Sequence, residues 1–172
     1  MKPLANIQTL NSPSPESSRA KFRQVRFKNS DCFLGFDFGT RKIGVAIGHL
    51  ESAIASPLTT LTAVRQKPDW QAIERLIENW EAGGFVVGIS HQHDGSENPV
   101  TRPTLRFCRQ LEGRFGLPVH LVDESLTTFE AKQLLFEESS VNASTLWRVQ
   151  DQVAAQLILQ TWLNAQPPRN QR

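Results

Sequence analysis

The stretch that most constrains this chain is Cys32 to His49, CFLGFDFGTRKIGVAIGH. Its first seven residues, Cys32 to Phe38, are apolar and aromatic apart from Asp37, the composition of a strand covered by protein. The turn-forming Phe38-Gly39-Thr40-Arg41-Lys42 precedes a second β-branched run, Ile43 to Ile47, so the pair predicts an antiparallel hairpin. One carboxylate is thereby carried into an apolar strand. Ionised there, it is costly unless a metal, a cation or several donors hold it. Pairing with Arg41 or Lys42, or capping of the Gly39-Thr40 turn, would satisfy an isolated aspartate. The rest of the chain supplies further acids that shift this balance.

The 172 residues, 39% of them hydrophobic and without visible repeats, suffice for one ordinary core. We therefore expect a single domain over 32–165, a Ser/Pro-rich and then basic leader over 1–31, and a loose tail over 166–172. The leader carries six Lys/Arg against Glu16 and Asp31, while the remainder carries 13 basic and 15 acidic residues. The basic surplus thus lies in the leader, and the net charge of +2 is no argument for nucleic acid. The leader reads as disordered, either an arm that grips phosphates or a solvated extension, with a transit peptide as a lesser reading. No run of 18 apolar residues and no cleavable apolar leader is present, so we expect no membrane contact and a cytoplasmic location. Cys32 and Cys108 have no metal or disulfide spacing and read as buried reduced thiols.

Beyond the hairpin, Ser52 to Leu61 alternates but contains Pro57, which fits an edge strand. Asp69 then opens a helix with Ile73, Leu76, Ile77 and Trp80 on one face, stopped by Gly83-Gly84. Phe85 to Ile89 is a short buried strand, and the polar loop Ser90 to Pro99 lies at its C-terminal end, the edge where open α/β sheets bind ligands. His91 and His93 in that loop lack a third His or Cys and do not make a zinc site. Thr101 is expected to cap a helix to Phe115, with Leu105, Cys108, Leu111 and Phe115 inward. Arg102, Arg106 and Arg109 form an outward stripe, either a plain solvated face or a grip on a phosphate backbone. Val119 to Val122 is the next strand, ending at Asp123-Glu124, whose side chains must point to opposite faces. A capping box at Thr127 and Glu130 predicts a helix over Thr128 to Glu138. In the last helix, Thr145 to Asn164, Asp151 shares a stripe with Ala154, Ala155, Ile158 and Trp162.

Asp37, Glu124 and Asp151 are thus three acids at ends or faces where apolar residues are expected, and they can meet at one sheet edge. Gathered closely, they would stay ionised only around divalent cations, and an all-oxygen set suits Mg²⁺ or Mn²⁺. Such ions hydrolyse phosphodiesters. The chemistry expected is that of a metal-dependent nuclease.

FLGFDFGTRKIGVAIG, FVVGI with HDGS, GRFGLPVHLVDESLTTFEA and the DQVAA of the last helix resemble the YqgF/RuvX family, over about residues 32–164. The resemblance implies an RNase H-like α/β fold, a mixed sheet of antiparallel hairpin strands plus parallel strands flanked by helices. It implies nuclease action finishing the 5′ end of pre-16S ribosomal RNA, or a Holliday junction resolvase acting on branched DNA. By motif position the family's catalytic and metal-binding acids fall on Asp37, Glu124 and Asp151. Gly39, Thr40, Arg41, Lys42, Arg102, Arg106 and Arg109 are the expected substrate contacts. Ribosomal precursor particles are possible partners, with the protein a monomer or homodimer. Where the family usually has G-L-P and D-E-R, this chain has Gly88-Ile89-Ser90 and Asp123-Glu124-Ser125. The lost arginine would have held a phosphate bidentately. Two other classes compete: a sugar-kinase or actin-like ATPase, whose phosphate loop also reads DFGT but whose fold needs two such domains, and a non-catalytic RNA-binding protein with a weakened site.

Overall fold

The computed structural model describes residues 27, 29–90, 96, 98–124, 137 and 143–168, with no side-chain description for 143–148. The leader before residue 27, His91 and His93, and most of the helix expected over Thr128 to Glu138 lie outside these residues.

Among the described residues nine elements follow in order: β1 (Cys32–Phe38), β2 (Lys42–His49), β3 (Ile54–Val64), β4 (Lys67–Pro68), α1 (Trp70–Trp80), β5 (Gly84–Ile89), α2 (Thr101–Phe115), β6 (Val119–Asp123) and α3 (Ala143–Asn164). The described strands form one sheet in the order β4-β3-β2-β1-β5-β6. β1 to β4 are joined antiparallel, and β5 and β6 run parallel to β1. Among the described residues no helix is long and apolar enough to cross a membrane.

Period-two alternation splits the sheet into two buried faces. Leu34, Phe36, Ile43, Val45, Phe85 and Val87 pack with Ile73 and Ile77 of α1 and Phe107 and Leu111 of α2. Phe33, Ala46, Val86 and Val122 project the other way, onto Ala155, Ile158, Leu159 and Leu163 of α3. Because both faces are covered, β5 is apolar without alternation, and all six of its residues are buried. Phe36, Phe85 and Phe107 are fully buried and interlock, with Phe107 edge-on to Phe36 at 5.5 Å and stacked on Phe38 at 4.9 Å. Each contributes roughly 1.5–3 kcal/mol through apolar area removed from water.

Several local expectations need correction. The Asp69 side chain does cap α1, accepting from the Ala72 N–H at 3.0 Å. The helix ends at Glu81, in the left-handed conformation at φ 51°, before the glycines are reached, and Gly84 already belongs to β5. Trp80 is 41% exposed, so that apolar face fades at its C-terminal end. Thr101 is the first residue of α2 and not its cap; its hydroxyl donates to the Ser90 carbonyl at 2.9 Å, tying the helix start to the end of β5. Phe107, absent from the expected inward set, is fully buried in α2, whereas Leu105 is half-buried. Pro57 sits beside a register shift in the β2–β3 ladder, where a missing N–H costs least.

α3 also guards the outer rim of β3. The Gln160 side chain accepts from the Ala55 N–H at 2.9 Å and donates to the Ala53 carbonyl at 2.8 Å, while Gln156 donates to the Ala55 carbonyl at 3.0 Å. Two glutamines thereby satisfy strand-edge groups that would otherwise invite pairing with another chain.

Cys32 and Cys108 are buried, and burial lifts both thiols to about 11, as expected of inert reduced cysteines. His120 lies against Trp162 at 4.9 Å and Phe33 at 6.1 Å, and burial lowers its pKa below the ordinary 6.5. The unfolded chain therefore binds this proton more readily than the folded one, so stability falls as pH drops through the ordinary histidine value toward the depressed folded one. Denaturation midpoints measured between pH 7.5 and 5 should decline more for the native chain than for His120→Phe; equal declines would place the sensitivity elsewhere.

Candidate active site

Asp37 faces Gly44 across the β1–β2 ladder, and Gly44 faces Thr60 of β3. Side chains directly opposite share a face. Because Phe33, four residues before Asp37, packs on α3, Asp37 projects toward that helix as well. The parallel ladder to β5 ends at the pair Phe36–Val87, so the next residue of each strand sets Gly88 beside Asp37. The acid therefore stands between two glycines in one transverse row.

Each glycine admits a different neighbour. A Cβ on Gly44 would collide with the backbone carbonyl of Asp151 and lie 3.0 Å from the Asp151 Cβ. The backbone of α3 thus rests on the sheet at this point, an approach only glycine permits. A Cβ on Gly88 would collide with Ile158 and come 2.8 Å from Glu124 Oε1. The Glu124 carboxylate reaches over β5 through that gap. Glu124 follows β6, whose last pair, Asp123 with Ile89, is one step beyond Gly88 with Val122.

Asp37, Glu124 and Asp151 consequently line one cavity of about 230 Å³, together with Gln150, Ala154, Leu157 and Ile158. All three acids are half-buried. The cavity is wide: among the described residues no three His, Cys, Asp or Glu side chains stand close enough to enclose a metal ion as placed. The expected convergence within a few ångströms is thus corrected to a shared cavity with room for water and ligand. The donor chemistry still fits a hard cation. Every charged group is an oxygen donor, and Mg²⁺ binds through one or two carboxylates while keeping several waters or substrate oxygens.

The other expected contacts are not in the cavity lining. Gly39, Thr40 and Arg41 form the turn between β1 and β2, and Lys42 opens β2; a Cβ on Gly39 would lie 2.6 Å from the Lys42 carbonyl, so the turn is tight, and Arg41 and Lys42 are exposed beside the acid edge. Arg102, Arg106 and Arg109 are exposed on α2, which covers the opposite face of the sheet from α3. Arg102 is near the acid edge, because its neighbour Thr101 is tied to Ser90. Arg106 and Arg109 lie about 6 and 10 Å further along the helix. Asp123 does not line the cavity, whereas Glu124 does, as opposite strand faces require.

Gln150 is the polar lining residue that the sequence reading missed. A glutamine on a helix reads as solvent-facing, and the signal that could have found it was its adjacency to Asp151. Thr60, in the same row as Gly44, has a fully enclosed hydroxyl oxygen with no hydrogen-bond partner among the described residues.

A sequence-family model described as "RuvX: Holliday junction resolvase" matches residues 31–165. A protein of Methylococcus capsulatus named "Putative pre-16S rRNA nuclease" is 54% identical over 132 residues, which covers 77% of this chain and 87% of that protein. One of the same name from Nitrosococcus oceani is 44% identical over 158 residues, covering 92% of this chain and 95% of its own. Among solved structures, Thermus thermophilus RuvC matches 78% of this chain and 95% of its own with a TM-score of 0.50 at 14% identity, a likeness of fold. The RNase H-like arrangement expected from the sequence is the one found.

Gly44→Ala should lower stability by about 1–3 kcal/mol, since an atom must be forced between sheet and helix backbone. Gly113→Ala, on the exposed side of α2 where an added Cβ meets nothing within 4 Å, should raise it by roughly 0.5–1 kcal/mol. Urea denaturation reads both signs, and equal responses at the two positions would contradict the close seat of α3 on β2.

Proposed function

The chain belongs to the RuvX family, and on that footing we propose that it is a divalent-metal-dependent nuclease in which Asp37, Glu124 and Asp151 hold the ion. The observation that carries this reading is the shared cavity: acids from β1, the end of β6 and α3, distant in sequence, open onto one volume at the C-terminal edge of the parallel strands. That edge is where open α/β sheets place ligands. Mg²⁺ or Mn²⁺ bound there would supply the Lewis acidity that phosphodiester hydrolysis needs.

The chain's own residues divide the remaining work. Asp37 is fixed by its strand and cannot swing far, so it sets the floor of the site. Glu124 and Asp151 approach from either side and can close on a cation while the floor stays in place. Leu157 and Ile158 form an apolar wall that limits water and strengthens electrostatic interactions inside. Arg41 and Lys42, at the turn after Asp37, are placed to hold phosphates flanking the cut. Arg102 extends this grip at the same edge, and Arg106 and Arg109 would touch only a substrate that bends over the sheet toward α2.

The favoured substrate is the 5′ region of pre-16S ribosomal RNA, after the names of the relatives at 54% and 44% identity. The second reading is resolution of branched DNA, after the family description. We place the activity in the cytoplasm, where ribosomal precursors are matured.

Incubated with a pre-16S 5′-leader fragment, the full chain should cleave it in Mg²⁺ and not in EDTA. Asp37→Asn should slow cleavage by about 100-fold or more, the scale of a lost catalytic charge. Faster cutting of a four-way DNA junction would favour the second reading. Tight RNA binding without metal-dependent cleavage would identify a binding protein instead, and ATP turnover independent of RNA would point to the ATPase class.

A further inference from the structure

We propose that Gln150 is a substrate-binding residue of this cavity, its side-chain amide donating a hydrogen bond to a non-bridging oxygen of the phosphodiester to be cut. The inference deepens the nuclease reading and rests on it. It begins from an imbalance in the lining. Asp37, Glu124 and Asp151 can only accept when ionised, and Ala154, Leu157 and Ile158 offer no polar side-chain atom. Gln150 is the one side chain among the described lining residues that carries an N–H donor. A phosphodiester is itself an anion, and three carboxylates repel it. A cation offsets the charge, but the phosphate's remaining oxygens still need donors.

Position supports the assignment. Close contact at Gly44 fixes the turn of α3 that carries Asp151, and with it the residue one step earlier. Successive helical residues are about 100° apart around the axis. Asp151 accordingly points inward and is half-buried, while Gln150 is exposed at the rim. A strand entering from solvent therefore meets Gln150 on its way to the acids. The amide also suits the place better than a lysine or arginine would. A neutral donor forms no ion pair with the carboxylates and so competes little with a metal for them, whereas a fixed cation one residue from Asp151 would compete strongly. Arg41 and Lys42 share the edge but do not line the cavity, so they are suited to flanking phosphates and not to the reacting one.

The test uses the full chain, the pre-16S 5′-leader fragment and Mg²⁺. Gln150→Ala should lower kcat/KM by about 10- to 100-fold, the range for a lost hydrogen bond to a charged group. Gln150→Glu, which keeps the shape but removes the donor and adds repulsion, should lose more. Gln150→Asn should recover part of the loss. Thermal midpoints of all three should stay near the native value because the position is exposed, so a fall in activity reports binding and not folding. Equal kcat/KM for the native chain, Gln150→Ala and Gln150→Glu would overturn this assignment while leaving the nuclease reading intact. A native chain that cleaves nothing would overturn both.

Discussion

Helix α3 lies with its backbone against β2 at Gly44, and the geometry of the acid edge depends on that contact. A helix seated on ordinary side chains stands further from a sheet, its polar residues free to turn outward. Here the side chain between the two layers is missing, and the peptide of Asp151 occupies its place. The aspartate is held next to the row that contains Asp37 because sheet and helix have nothing else between them. Gly88 does the same on the other flank of Asp37, opening the surface so that Glu124 can reach across β5. Two absent methyl groups, one on each side of a strand aspartate, bring carboxylates from three segments to one cavity.

Such a gathering works against the fold. Like charges facing one cavity repel one another, and half-burial removes part of the water that would screen them. The rest of the protein must supply the compensating stability, and it does so away from the acids. The interlocked Phe36, Phe85 and Phe107 occupy the opposite face of the sheet, and Leu159 and Leu163 anchor α3 further along its length. The Gln156 and Gln160 bonds to β3 pin the same helix laterally. An edge where like charges gather is thus built on a two-faced core. A bound cation would relieve the repulsion, which is how such a site would favour a metal without moving its scaffold.

Much of this was legible in the chain. The β1–β2 hairpin follows from two β-branched and aromatic runs around Gly39-Thr40, and the burial of β5 from an uninterrupted apolar run, FVVGI. Asp37 and Asp151 stood out because each broke an apolar pattern. What the pattern could not give was spacing. Periodicity says which face a residue occupies but not how closely two layers approach, so the sequence reading brought the acids together too tightly. The roles of Gly44 and Gly88 are invisible for the same reason: a glycine in a strand signals close approach without naming what approaches. Gln150 escaped because a polar residue on a helix is unremarkable until a cavity opens beside it. The misjudged ends of α1 and α2 reflect backbone choices, the left-handed Glu81 and the Thr101–Ser90 bond, that compete with simple capping and glycine rules.

The central claim is that the carboxylates of Asp37, Glu124 and Asp151 act together on one divalent ion. Crystals of the full chain grown with Mn²⁺ and measured at the manganese absorption edge test it most directly. The account predicts an anomalous peak in the cavity with oxygens of at least two of these acids at about 2.1 Å, near the distance hard six-coordinate cations adopt. A peak bound only elsewhere, or an empty cavity at millimolar Mn²⁺ with the acids turned apart, would contradict it.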